Sequence, residues 1–170
     1  MGLSPEALLE AVRAAAGERV SDSLLAFDEA AIVLRRDDAP AVCALLRDRP
    51  EFAFNALADL SAVDYFGKVP RFEVVYHLNS LTHGHRLRVK VRVGEEDAWA
   101  HSLTMLWKSA NWLERECWDM FGIRFVGHPD PRRILMYEEF VGHPLRKDYP
   151  VDKRQPLVPE RDPIEKGWKF

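Results

Sequence analysis

RFEVVYHLNSLTHGHRLRVKVRV, residues 71–93, is the stretch that decides the fold. From Arg86 onward it alternates strictly, with Leu87, Val89, Val91 and Val93 set against Arg86, Arg88, Lys90 and Arg92. A period of two residues belongs to a strand with one buried and one polar face. The same period links Phe72, Val74, Tyr76 and Leu78, so the stretch predicts two strands. LTHGH between them is a hairpin loop in which Gly84 is free to take a positive φ. The polar face of the first strand is expected to carry Arg71, Glu73, Val75 and His77, with Glu73 pairing across to the cations.

Working outward, Pro5 to Ala16 predicts a helix with Ser4 as its N-cap and proline at its first position. Ala31 to Arg36 is a short strand candidate. Residues 38–48 follow with Val42, Leu45 and Leu46 on one helical face. A strand crosses the middle of FNALADLSAVDYFG, ending in a turn at residues 67–70. Downstream, Trp99, Leu103, Leu106 and Trp107 form a stripe that predicts a helix from Ala98. A further helix runs from Trp112 to Phe121, with Asn111 and Glu114 as a capping-box-like pair and Gly122 just past its end. The order of elements predicts a two-layer α+β domain over residues 1–122, a small mixed or antiparallel sheet covered by helices.

Residues 123–170 hold seven of the eleven prolines and predict an extended tail. Three courses are open to it: along the domain, along a partner, or disordered. A partner-ordered tail, mobile in the isolated chain, is the expectation.

A formal net charge of −3 over 170 residues gives no global attraction to nucleic acid or anionic lipid. No apolar run reaches the length of a membrane span, and the N-terminus reads neither as a signal peptide nor, with Glu6 in the Ser/Thr position, as a myristoylation site. Cys43 and Cys117 are two thiols where a self-contained iron–sulfur cluster needs four ligands, and no CxxC occurs. The cationic strand lacks the interleaved aromatics of a base-stacking sheet, so a solvated face is favoured over a nucleic-acid platform. His83 and His85 read as turn residues, having no third metal ligand nearby.

In the last predicted helix, Leu113, Cys117, Met120 and Phe121 form the core face. Arg115 and Asp119 are placed outermost, Glu114 beside Trp118 on one flank, and Glu116 on the other edge. The acids read as hydrogen-bond and ion-pair partners, and Trp118 as an interface anchor, as a ring packed under the tail, or as both. No glycine-rich nucleotide cradle and no nucleophile–base spacing accompanies them.

FVGHP occurs twice, at Phe125–Pro129 and Phe140–Pro144, followed by Arg132 and Arg133 in one case and Arg146 and Lys147 in the other. A metal site, an anion site and a pair of matching docking turns are all open. The simplest is structural: each glycine redirects the chain, each histidine bonds a backbone carbonyl, and each arginine reaches for a carboxylate.

ERECWDMFGIRFVGHPDPRRIL, followed by FVGHPLRKDYP, resembles the signature of the 30-kDa-type (C-type) subunit family of respiratory NADH:quinone oxidoreductase (complex I). The resemblance covers Glu114 to Pro150 almost without a gap, and more loosely DLSAVDY and the strand pair upstream. It implies a peripheral-arm subunit without catalytic, cofactor-binding or metal-binding residues of its own. NADH, FMN, Fe–S clusters and quinone would belong to other subunits. The implied partners are the quinone-site subunit and adjacent Fe–S subunits, on the cytoplasmic side of the membrane. The implied interface comprises Glu114, Arg115, Glu116, Trp118, Asp119, Phe121 and Gly122, the turns Gly127-His128-Pro129 and Gly142-His143-Pro144, the pair Arg132 and Arg133, and Leu145-Arg146-Lys147-Asp148-Tyr149-Pro150. Two other functions stay open: the equivalent subunit of a related membrane-bound hydrogenase or ferredoxin-fed complex, and a nucleic-acid-binding sheet protein.

Overall fold

Alternating strands 72–79 and 86–93 can bury one face only if other strands extend the sheet and helices cover it. The computed structural model, which describes residues 2–155, does this with a five-stranded mixed sheet and three helices. The elements are α1 (Pro5–Ala16), β1 (Val20–Ala26), β2 (Glu29–Leu34), α2 (Ala39–Asp48), β3 (Ala56–Asp64), β4 (Phe72–Asn79), β5 (Arg86–Val93), β6 (Trp99–His101), α3 (Ala110–Phe121) and β7 (Arg124–Val126). The sheet order is β1-β2-β5-β4-β3, with β2 and β5 parallel and the other neighbours antiparallel.

The register sets Val74 opposite Val91 and Tyr76 opposite Val89, so both apolar rows fall on one face, fully buried. Leu8 and Val12 of α1, Val42 and Leu46 of α2, and Cys117 and Phe121 of α3 belong to the same core. The Ser4 side chain caps α1 by accepting the Ala7 N–H at 3.3 Å, and Gly84 at φ 76° closes the β4–β5 hairpin. His83 and His85 stack and bond the Pro50 and Phe52 carbonyls, at 2.7 and 2.9 Å. They are turn locks.

On the open face Glu73 accepts from Lys90 at 2.8 Å, as expected, and Arg88 pairs with Glu29. Arg71 departs from expectation. It lies just before β4 and is buried, where a place on the polar face was predicted.

Two further expectations are corrected, and one strand, β1, is an element the sequence pattern does not announce. β1 carries no period-two signal because it is an exposed edge strand, closed against β2 by Phe27 and Asp28, both at positive φ. The predicted helix at Ala98 is instead β6, pairing in parallel with β7, followed by turns. Three residues are too few to show a period, and their partner lies 25 positions away. Leu103 and Trp107 are nonetheless buried, the Trp107 indole donating to the Phe54 carbonyl at 3.1 Å. The capping box is also absent. α3 begins at Ala110 after Ser109, and Glu114 turns inward to accept the Leu103 N–H at 2.7 Å.

Candidate partner interface

A helix leaves its last carbonyls without intrahelical partners, and α3 finds them in the second repeat unit. His143 Nδ1 donates to the Asp119 carbonyl at 3.0 Å, the Leu145 N–H to Met120 at 3.1 Å, and Arg146 Nε to Phe121 at 2.6 Å. Gly122 ends the helix at φ 76° directly beneath this contact, and a Cβ there would stand 2.6 Å from the His143 ring. The first unit works at the other end. His128 Nδ1 accepts the Asp130 N–H at 2.9 Å, so its Nε2 carries the proton and donates to the Asn111 carbonyl in the first turn of α3, at 3.0 Å. The repeated pentapeptide thus pins the chain to both ends of one helix.

Asp119 holds the length between them. Expected outermost, it is wholly buried, because the tail crosses the side of α3 that an isolated helix would show to water. Its Oδ2 accepts the N–H groups of Ile134, Leu135 and Met136 at 3.1, 2.9 and 2.9 Å, and its Oδ1 pairs with Arg133 Nη1. Arg133 Nη2 continues to the Phe140 and Gly142 carbonyls at 3.0 and 3.2 Å. Burial pushes the Asp119 carboxyl up, but the Met136 N–H, Arg133 and the remaining N–H donors outweigh it and hold it below its ordinary range.

A second anchor involves Asp64 and Arg71, which sequence reading did not single out. The buried Arg71 guanidinium makes a two-pronged contact with Asp64 at 2.8–2.9 Å and reaches Asp148 of the tail. The Lys147 N–H also donates to Asp64, at 2.9 Å. Arg71, before any other partner, holds Asp64 below the usual carboxylate range. Asp64 closes β3 and Arg71 lies just before β4, so only their convergence across the turn exposes the role.

The other predicted residues scatter around these anchors. Arg115 donates to the Arg132 and Arg133 carbonyls at 3.0 and 2.9 Å, and Arg132 pairs with its neighbour Asp130 at 2.6 Å. Trp118 is half-buried, with the Arg133 guanidinium 5.5 Å over its ring and His143 at its edge. Tyr149 stacks on Phe140 and fills the space over Gly142, where a Cβ would meet it at 2.8 Å. Phe121 is in the core, Pro144 half-buried, Gly127 a turn at φ 87°, and Glu116, Pro129 and Pro150 are exposed.

Glu114 is the unusual acid. It is fully buried, and burial pushes it up to about 7 against the Leu103 N–H and the Ser102 hydroxyl. Burial likewise raises the Cys43 thiol to about 12, leaving it protonated near neutral pH. Among the described residues no group of three His, Cys, Asp or Glu side chains is arranged to hold a metal ion. The site is chemically a clasp: donors, acceptors and ion pairs that fix a loop-rich segment on a helix.

The model of the family described as respiratory-chain NADH dehydrogenase, 30 Kd subunit, matches residues 32–155. The C-type subunit of NADH-quinone oxidoreductase from Roseiflexus sp. (strain RS-1) is 47% identical over 151 residues, covering 89% of this chain and 87% of the relative. Its counterpart from Geotalea uraniireducens (strain Rf4) is 45% identical over 137 residues, covering 81% and 79%. Among solved structures, a trypsin-resistant fragment (1-134) of Nqo5 superposes with a TM-score of 0.64 at 38% identity, covering 74% of this chain and 97% of the fragment. A chain of the archaeal membrane-bound sulfane sulfur reductase shares the fold, with a TM-score of 0.71 at 21% identity over 86% and 85% of the two chains. With the family model matching most of the sequence and relatives at 45% and 47% identity covering more than two thirds of it, this chain belongs to the 30 kDa subunit family of respiratory-chain NADH dehydrogenase, and is a subunit of an electron-transporting oxidoreductase complex.

Proposed function

We propose that the chain is a non-catalytic peripheral-arm subunit of a proton-translocating NADH:quinone oxidoreductase, docking through its C-terminal segment on the quinone-site subunit and the adjacent Fe–S subunits. Electrons pass from NADH through FMN and Fe–S centres to quinone in those other subunits, and this chain keeps its neighbours in register. It resides at the cytoplasmic side of the membrane through the complex. Among the described residues no helix is long and apolar enough to cross a membrane.

One observation carries this reading. The segment clasped by Asp119 and Arg71 turns Leu135, Tyr137, Val141, Leu145 and Val151 outward, each at least 40% exposed. Large apolar side chains concentrated on a segment held by many hydrogen bonds are the mark of a surface awaiting a partner. Asp119, Arg133, Arg71 and Asp148 supply the holding bonds, and these apolar side chains between them face out.

The test is co-purification from detergent-extracted membranes with the chain tagged. Wild type retains the quinone-site subunit, whereas Tyr137→Glu combined with Leu145→Glu lowers its recovery at least tenfold with unchanged thermal unfolding of the isolated chain. Full retention by the double variant overturns the docking assignment. Stoichiometric iron or flavin in the isolated chain overturns the non-catalytic one.

A further inference from the structure

Beside the clasp, between α3 and β7, lies a cavity of about 330 Å³ that the hydrogen-bond network does not use. Its walls are mostly apolar: the Trp118 ring, Phe125, Val126 and Pro131. Its volume is at the small end of ligand sites, suited to one large side chain rather than a nucleotide. Glu114 contributes to its lining from a fully buried position. Glu114 Oε2 has no hydrogen-bond partner; His128 Nε2 stands 4.0 Å away and is committed to the Asn111 carbonyl.

The rim has the opposite charge. Arg115 is engaged with tail carbonyls. Arg124 is different: its backbone N–H bonds the Ala98 carbonyl at 2.9 Å, while among the described residues its exposed guanidinium has no hydrogen bond or ion pair. An occupant must therefore place an apolar body between Trp118 and Phe125, keep any carboxylate away from Glu114, and gain by leaving one at the mouth beside Arg124. A cationic occupant meets two guanidinium groups at the mouth and is disfavoured.

We propose that this cavity is the seat of a single anchor side chain from a neighbouring subunit, an aromatic or large aliphatic residue adjacent in sequence to Asp or Glu, with the carboxylate paired to Arg124. Pockets that accept one large side chain, and are closed off from water by the partner that fills them, are where interface energy concentrates. An ion pair at the rim adds orientation. Val126, half-exposed at the mouth, lies against the entering segment. This inference rests on the docking reading above and specifies one contact within it.

The experiment uses the assembled complex in native membranes. A photo-reactive benzoylphenylalanine is placed at Val126, and in separate preparations at Tyr137 and Leu145 on the tail surface. The expected result is capture from position 126 of a segment of another subunit of the complex, in which an aromatic or large aliphatic residue adjoins Asp or Glu. Arg124→Glu then lowers the yield of that adduct and of co-purified complex at least tenfold, while Arg124→Lys stays within about threefold of wild type. Capture from Tyr137 or Leu145 but not from Val126 overturns the anchor and leaves the docking reading standing. Absence of capture at all three positions removes both. An adduct within this chain or to a second copy, a captured segment without the acidic neighbour, or an unaffected Arg124→Glu preparation each overturns the anchor alone.

Discussion

Arg71 Nη2 donates to Asp148 Oδ1 at 2.6 Å across 77 residues of sequence, tying the entrance of β4 to the tail. The same guanidinium is 1% exposed and pairs with Asp64, itself 2% exposed. The two halves of the cluster differ in depth, and their loss will differ in cost. Arg71→Met leaves the Asp64 charge buried without its cation, a change that typically costs about 3–5 kcal/mol. Asp148 is 41% exposed, so Asp148→Asn is expected to cost below about 1 kcal/mol. Urea unfolding of the two variants checks the ordering.

The pH dependence of stability has two opposing arms. Asp64 and Asp119 sit below their ordinary value of 3.8 in the folded chain. They contribute stability that is present above that value and lost as pH falls through their lower folded pKa. Glu114 does the reverse. Its carboxyl rises from 4.5 to about 7 on folding, so between these values the folded chain binds the extra proton. Stability from this residue is present below 4.5 and declines as pH rises towards 7, by about 3 kcal/mol at most. Glu114→Gln is expected to remove that decline, flattening the profile of denaturant midpoints between pH 4.5 and 7 while keeping the acid arm.

Gly122→Ala combines two penalties. The residue occupies the left-handed region at φ 76°, and the added Cβ falls on His143 and Arg146. A loss of stability above about 1 kcal/mol is expected from the backbone alone. The more specific outcome is local: the Leu145 amide, which donates to Met120, should exchange with solvent at least tenfold faster, with Ile134 to Met136 less affected. Hydrogen exchange resolves the two sets.

Trp118→Ala is expected to weaken assembly more than the isolated fold. The ring is half-buried, touched by Arg133 and His143 and lining the cavity beside α3. Truncation of such an anchor typically costs about 2 kcal/mol or more of binding. Subunit retention in detergent extracts, set against thermal unfolding of the lone chain, separates the two effects.

Sequence by itself determined the elements that repeat their own pattern. Residues 72–93 alternate for long enough to define two strands and the buried face of both, and α1 is bounded by a serine cap and a proline. The glycines at 84 and 122 mark turns because few other residues take their backbone conformation. Even the hydrogen-bonding habit of the two Gly-His-Pro units is local chemistry, since a histidine released from regular structure seeks a carbonyl. What tertiary structure decided is which groups meet. Asp119 reads as solvent-facing on an isolated helix, and becomes the centre of the clasp only because residues 133–136 fold over it. Asp64 and Arg71 carry no signal until a turn and a tail converge on them. β1 and β6 are paired by neighbours and not by period, one as an edge strand and the other with a partner beyond α3. Periodicity reports how a segment faces a surface that already exists. It cannot report a surface that the rest of the chain has yet to bring there.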